Sequence, residues 1–139
     1  FVVLLFLAAW GNDTLAYCTG MLIGKHKMSP ILSPKKSIEG LIGGIVGAAI
    51  LGGLYGMYLN TYIRFSFNPV TMFPVICGLG GAVSVIGDLA ASAIKRDSGI
   101  KDYGTLIPGH GGILDRFDSI IFIAPVIYYL TVMISGGAI

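Results

Sequence analysis

The sequence predicts an all-α protein, a polytopic transmembrane bundle of about four spanning helices. Three observations carry that prediction. Of 139 residues, 55% are hydrophobic and only 12% charged, against about 25% charged in an ordinary soluble domain, and the mean hydropathy is +0.84. Nearly all ionisable groups fall in two islands: Lys25, His26, Lys27, Lys35, Lys36 and Glu39, then Asp88 through Asp118, with only Asp13 and Arg64 outside. Around the islands lie stretches with no formal charge, at 1–12, 40–63, 65–87 and 119–139. A helix needs roughly 20 apolar residues to cross a hydrocarbon core of about 30 Å. So little charge beside 21 glycines excludes a disordered chain, a coiled coil and a surface made for water. Cys18 and Cys77 sit far apart in apolar runs, which argues against a disulfide framework or thiolate metal site.

The elements follow in order. The first helix is expected at 1–24, with the opening run continuing past Asp13 to Gly24. Phe1 opens inside an apolar run with no basic flank before it, so the run reads as the middle of a helix in a larger protein, not as a signal peptide. A Pro/Ser/Lys loop (25–38) leads to a second helix at 39–61, in which Ser37 is a candidate cap. That helix carries Gly44, Ala48, Gly52 and Gly56 at intervals of four, a small-residue face for close helix packing. After a short loop (60–69), the third helix at 70–95 repeats the device with Gly80, Ser84, Asp88 and Ser92. A long polar loop (96–118) precedes the fourth helix at 119–137. One membrane domain covers 1–139, with no repeat and no low-complexity segment. With four crossings, both islands fall on one side of the membrane. They hold eight of the nine Lys and Arg, so the positive-inside rule assigns them to the cytoplasm.

Within this frame a few residues stand out. A carboxylate at Asp88, near the end of a spanning helix, costs several kcal/mol unless it meets water, a cation or a partner, so function is its first reading. Asp13, beside Asn12 and Thr14, is open between a paired structural carboxylate and a functional one. Lys35 and Lys36 are either a basic anchor at lipid headgroups or a phosphate-neutralising pair. From Asp88 to Asp118, carboxylates alternate with Lys95, Arg96, Lys101 and Arg116, around the flexible Gly109-His110-Gly111-Gly112. Asp115 and Asp118, three apart, share a face if the fourth helix begins there. Taken singly, His110 is a loop hydrogen-bonder, and Asp97 and Asp102 balance their basic neighbours. Together the groups suit a magnesium-bound polyphosphate, because Mg²⁺ takes one or two carboxylates plus phosphates while cations neutralise the phosphoryl group.

The stretch Ser92-x-Ile94-Lys95-Arg96, then Lys101-Asp102-x-Gly104, then Leu106-Ile107-Pro108-Gly109-His110-Gly111-Gly112-Ile113-Leu114-Asp115-Arg116-Phe117-Asp118 resembles the signature of phosphatidate cytidylyltransferases, also called CDP-diacylglycerol synthases. Asn12-Asp13-Thr14-x-Ala16-Tyr17 and Ser33-Pro34-Lys35-Lys36-Ser37-x-Glu39-Gly40 resemble upstream motifs of the same family. The likeness covers essentially the whole chain, matches the family's C-terminal part without its upstream helices, and is closer to bacterial than to animal members.

That resemblance implies a Mg²⁺-dependent transfer of cytidylyl from CTP to phosphatidate, giving CDP-diacylglycerol and pyrophosphate in phospholipid synthesis. It implies Asp88, Lys95 and Asp115 as catalytic, with Asp88, Asp115 and Asp118 at the metal. Ser33, Lys35, Lys36, Ser92, Arg96, Lys101, His110 and Arg116 are implied as binders of nucleotide and lipid phosphates. It further implies a homodimer among membrane lipids in a bacterial cytoplasmic membrane, with a cytosol-facing site and no nucleic-acid partner. Three rivals stand beside this reading: a CTP-dependent polyprenol kinase, a cation- or proton-coupled transporter in which Asp13 and Asp88 line a pathway, and an inactive scaffolding fragment.

Overall fold

Small residues at every fourth position of one helix, and large apolar ones two residues out of phase, set how this chain packs. The computed structural model describes residues 2–29, 33–64, 66–100 and 114–135; side chains at 29, 33–35, 114–116 and 118 lie outside that description. Helix α1 (Val2–Ile23) is α-helical over Val2–Phe6, widens to a π-helical turn over Leu7–Gly11, and resumes as Asn12–Ile23. Strands β1 (Lys27–Ser29) and β2 (Ser33–Ser37) form an antiparallel hairpin. Helices α2 (Ile38–Tyr62), α3 (Pro69–Asp97) and α4 (Leu114–Ile134) follow.

The expected all-α bundle is present, with two differences. The segment expected as a plain loop over 25–38 contains the hairpin, in register Lys27 with Ser37 and Ser29 with Ser33. Helix α4 starts at Leu114, five residues before the expected boundary. Its first turn holds Asp115, and an acid there is favoured by the helix dipole. Among the described residues three helices, α1 to α3, are long and apolar enough to cross a membrane. The 21 residues of α4 rise about 31 Å as a whole, although its uniformly apolar described part, Ser119–Ile134, is shorter. This is an integral membrane protein.

Helix α2 is built inside out. Gly40, Gly44, Ala48, Gly52 and Gly56 are buried, while Ile42, Val46, Ile50, Leu54 and Tyr58, roughly opposite, are each more than half exposed. The predicted small-residue face is thus occupied within the chain. Gly52 meets α3 so closely that a Cβ would lie 2.7 Å from the Phe73 carbonyl oxygen, and one on Gly44 would lie 2.7 Å from Asn12 Oδ1 in α1. Leu4, Ala8, Phe73, Ile76, Cys77, Ile123 and Ile127 fill the core where α1, α3 and α4 meet.

Caps fix the ends that matter for the site. The Ser37 hydroxyl accepts from the Gly40 N–H at 3.1 Å, the predicted N-cap of α2. Asn68 caps α3 by accepting from Val70 N–H at 3.0 Å, with Pro69 at the first helical position, where its missing N–H costs nothing. At the other end, Ile100 N–H donates to the Lys95 carbonyl at 2.9 Å and Gly99 N–H to Arg96 at 3.1 Å. Gly99 has φ +69°, the left-handed conformation this Schellman ending requires and glycine adopts without strain.

Candidate active site

The hairpin end of the bundle encloses a cavity of about 320 Å³. Its wall takes Asn12, Asp13 and Tyr17 from α1, Lys36 from β2, Ser37 at the mouth of α2, and Asp88 from α3. The two charge islands, 52 residues apart at their contact, therefore meet at one end of the molecule.

Asp88 is the centre of the arrangement. One carboxylate oxygen, Oδ1, accepts from the Ser119 hydroxyl of α4 at 2.6 Å. The other, Oδ2, pairs with the Lys36 ammonium. Ser119 is 4% exposed. The α3–α4 seam beside it is tight, since a Cβ on Gly87 would come within 2.9 Å of the Phe122 ring. The hairpin that carries Lys36 is tied back to α2: Ile38 N–H donates to the His26 carbonyl at 2.9 Å, and His26 Nδ1 lies 2.6 Å from Glu39 Oε1.

Asn12 is fully buried, and neither its amide nitrogen nor its amide oxygen has a hydrogen-bond partner among the described residues. It follows directly on the π-helical turn and is wedged against two glycines, since a Cβ on Gly44 or Gly81 would lie 2.7 or 3.1 Å from its Oδ1. A buried amide without a partner costs about 1–3 kcal/mol, and π-turns recur at functional sites. Ser84 Oγ in α3 is likewise buried without a partner.

Of the residues singled out from sequence, Asp88 and Lys36 come together in the cavity. Ser92, Lys95 and Arg96 continue along α3 beyond Asp88, Lys95 about 10 Å further along the axis, and they are not among the described cavity-lining residues. Positions 115 and 118 fall about one turn apart at the start of α4, while the side chains of Asp115, Arg116 and Asp118 lie outside the described residues. The backbone of Ser33 and Lys35 belongs to β2, and their side chains also lie outside. Lys101 and His110 are wholly outside the described residues. Asp13, which the sequence left open between a structural and a functional role and which lies in the family-like motif Asn12-Asp13-Thr14-x-Ala16-Tyr17, joins the cavity. Ser119 gave no signal, because a lone serine in an apolar helix is ordinary.

A divalent cation fits this donor set. Among the described residues no cluster of three His, Cys, Asp or Glu exists. Mg²⁺ does not require one, since it takes hard oxygens, often one or two carboxylates completed by water and phosphate. Asp13 and Asp88 in one cavity, with the unpartnered Asn12 amide oxygen beside them, are such donors.

A sequence model of the cytidylyltransferase family matches residues 1–134. The chain belongs to the cytidylyltransferase family. Its relatives within this group include the phosphatidate cytidylyltransferase of Thermotoga maritima, 37% identical over 134 residues, which are 96% of this chain and 50% of that protein. Those of Synechocystis sp. and Haemophilus influenzae are 44% and 42% identical, over 95% and 89% of this chain and 43% of each relative. The chain spans about half the length of these relatives.

Proposed function

We propose that the protein transfers a cytidylyl group from CTP to phosphatidate, releasing pyrophosphate and forming CDP-diacylglycerol for phospholipid synthesis. The observation that carries the reading is the convergence of Asp88, Asp13 and Lys36 in one cavity of a membrane-embedded cytidylyltransferase-family chain. The names of its relatives agree with it.

The chemistry needs no covalent enzyme intermediate. A phosphate oxygen of phosphatidate attacks the α-phosphorus of CTP; the bond from that phosphorus to the β-phosphate oxygen breaks, and pyrophosphate leaves with the electron pair. Asp88 and Asp13, with Asp115 and Asp118 by resemblance, would hold Mg²⁺, which would withdraw charge from the reacting phosphates. Lys36 neutralises phosphate within the cavity. By resemblance, Lys95 acts beside Asp88 and Asp115 at the reacting phosphates. Ser33, Lys35, Ser92, Arg96, Lys101, His110 and Arg116 orient the nucleotide and lipid phosphates. Because eight of nine Lys and Arg belong to the two islands, the positive-inside rule supports a cytosol-facing site, in a bacterial cytoplasmic membrane by the relatives' sources. A homodimer belongs to the same reading and rests on resemblance.

The test is incorporation of label from [α-³²P]CTP into lipid with phosphatidate and Mg²⁺. Wild type forms CDP-diacylglycerol, and Asp88→Asn and Asp115→Asn each lose it by at least about 100-fold, the scale of losing an electrostatic stabiliser. Full activity in both variants removes the metal assignment. CDP appearing with a phosphorylated alcohol selects the polyprenol kinase, and ion flux without lipid product selects a transporter.

A further inference from the structure

The two oxygens of Asp88 are held by partners of opposite character. Ser119, on Oδ1, is buried in the seam between two long helices, where the Phe122 and Gly87 contact leaves no room for adjustment. Lys36, on Oδ2, hangs from a two-stranded hairpin, and its side chain is 32% exposed. A hairpin of two short strands has little stability of its own, and a lysine stem has four rotatable carbons. Lys36 and Asp88 line the same 320 Å³ cavity, so the ammonium can move several ångströms without leaving it.

We propose that Lys36 is a placeholder cation, neutralising Asp88 while the cavity holds no ligand and passing to a ligand phosphate when a divalent cation takes Oδ2. The proposal rests on the reading that Asp88 holds such a cation, and deepens it. A carboxylate in a spanning helix is costly unless compensated, which accounts for an ion pair reaching across 52 residues. A divalent cation and an ammonium repel each other at one oxygen, so Lys36 opposes the metal when it arrives alone. A triphosphate reverses that sign, because it offers the displaced ammonium a new anion. Ser119 keeps Oδ1 throughout, so the carboxylate does not turn as its second partner changes. Lys36 thereby contributes to a positive coupling between cation and nucleotide, so that each binds better after the other.

The experiment measures binding, not turnover, on the full chain in lipid nanodiscs. Mn²⁺ alone is titrated by electron paramagnetic resonance, and a non-hydrolysable CTP analogue by calorimetry in the presence of Mn²⁺. Lys36→Met is expected to bind Mn²⁺ alone about fivefold more tightly, equivalent to the ~1 kcal/mol of a partly exposed ion pair. The same variant is expected to bind the nucleotide at least about tenfold more weakly, from loss of a charge-assisted contact. Lys36→Arg, which keeps the charge, stays near wild type in Mn²⁺ affinity; Lys36→Gln replaces the Met variant if that one does not purify as a folded protein. Unchanged or weaker Mn²⁺ binding in the neutral variant, or tightening in Lys36→Arg, overturns the handover while leaving the metal reading intact. Mn²⁺ binding that Asp88→Asn leaves unchanged overturns both.

Discussion

Two glycines on facing helices respond in opposite ways to the same substitution. At Gly52 of α2, a Cβ would stand 2.7 Å from the Phe73 carbonyl oxygen and 2.8 and 2.9 Å from Cys77 Sγ and Cβ. Neither a backbone carbonyl nor a Cβ can rotate away, so Gly52→Ala belongs in the upper part of the overpacking range, about 2–3 kcal/mol. Replacing glycine by alanine inside a helix returns ~1 kcal/mol, leaving a net loss of about 1–2 kcal/mol. At Gly78 of α3, the nearest atom to a new Cβ is Ala49 Cβ at 3.6 Å, an ordinary contact. Gly78→Ala therefore keeps the helix gain and is expected to stabilise by ~0.5–1 kcal/mol. Reversible unfolding in mixed SDS micelles, read by circular dichroism, measures both on one scale. Gly52→Ala as stable as wild type, or both variants moving in the same direction, would refute the close α2–α3 packing.

Other consequences concern the site's supports. Asn12→Ala removes a buried amide without a partner, a gain of about 1–3 kcal/mol that the small void left behind offsets by less than ~1. The variant is expected to be more stable by about 1 kcal/mol in the same assay while losing CTP-dependent activity. A destabilised variant would mean that the amide is satisfied in the resting protein. Ser37→Ala removes the cap of α2 and should cost about 1 kcal/mol, with faster hydrogen exchange at the Gly40 amide; unchanged exchange there would show the cap to be idle.

Much of the bundle is legible in the chain because membrane packing writes simple patterns. The four-residue spacing of Gly44, Ala48, Gly52 and Gly56 marks a face that only another backbone can fill, and α1 and α3 fill it. Asp88 is conspicuous for the energy that an isolated carboxylate costs there. The hairpin is not legible, since Ser-Pro-Lys-Lys-Ser has neither apolar alternation nor β-branched residues. The start of α4 is hidden because its charged first turn reads as loop. The π-helical turn before Asn12 lies in an apolar run whose composition is that of any spanning helix. Ser119 acquires its role only through tertiary placement, which also decides the role the sequence left open for Asp13.

The ion pair across 52 residues also bears on how the protein enters the membrane. Synthesis runs from the N-terminus, so the basic hairpin is delivered to the bilayer surface before the third helix emerges. When Asp88 arrives, its counter-charge is already waiting at the side it must occupy, whereas Ser119 comes last with the fourth helix. A charge reversal at position 36 would thus be felt first during insertion, as a third helix that inserts poorly or is cleared by quality control before any substrate is met.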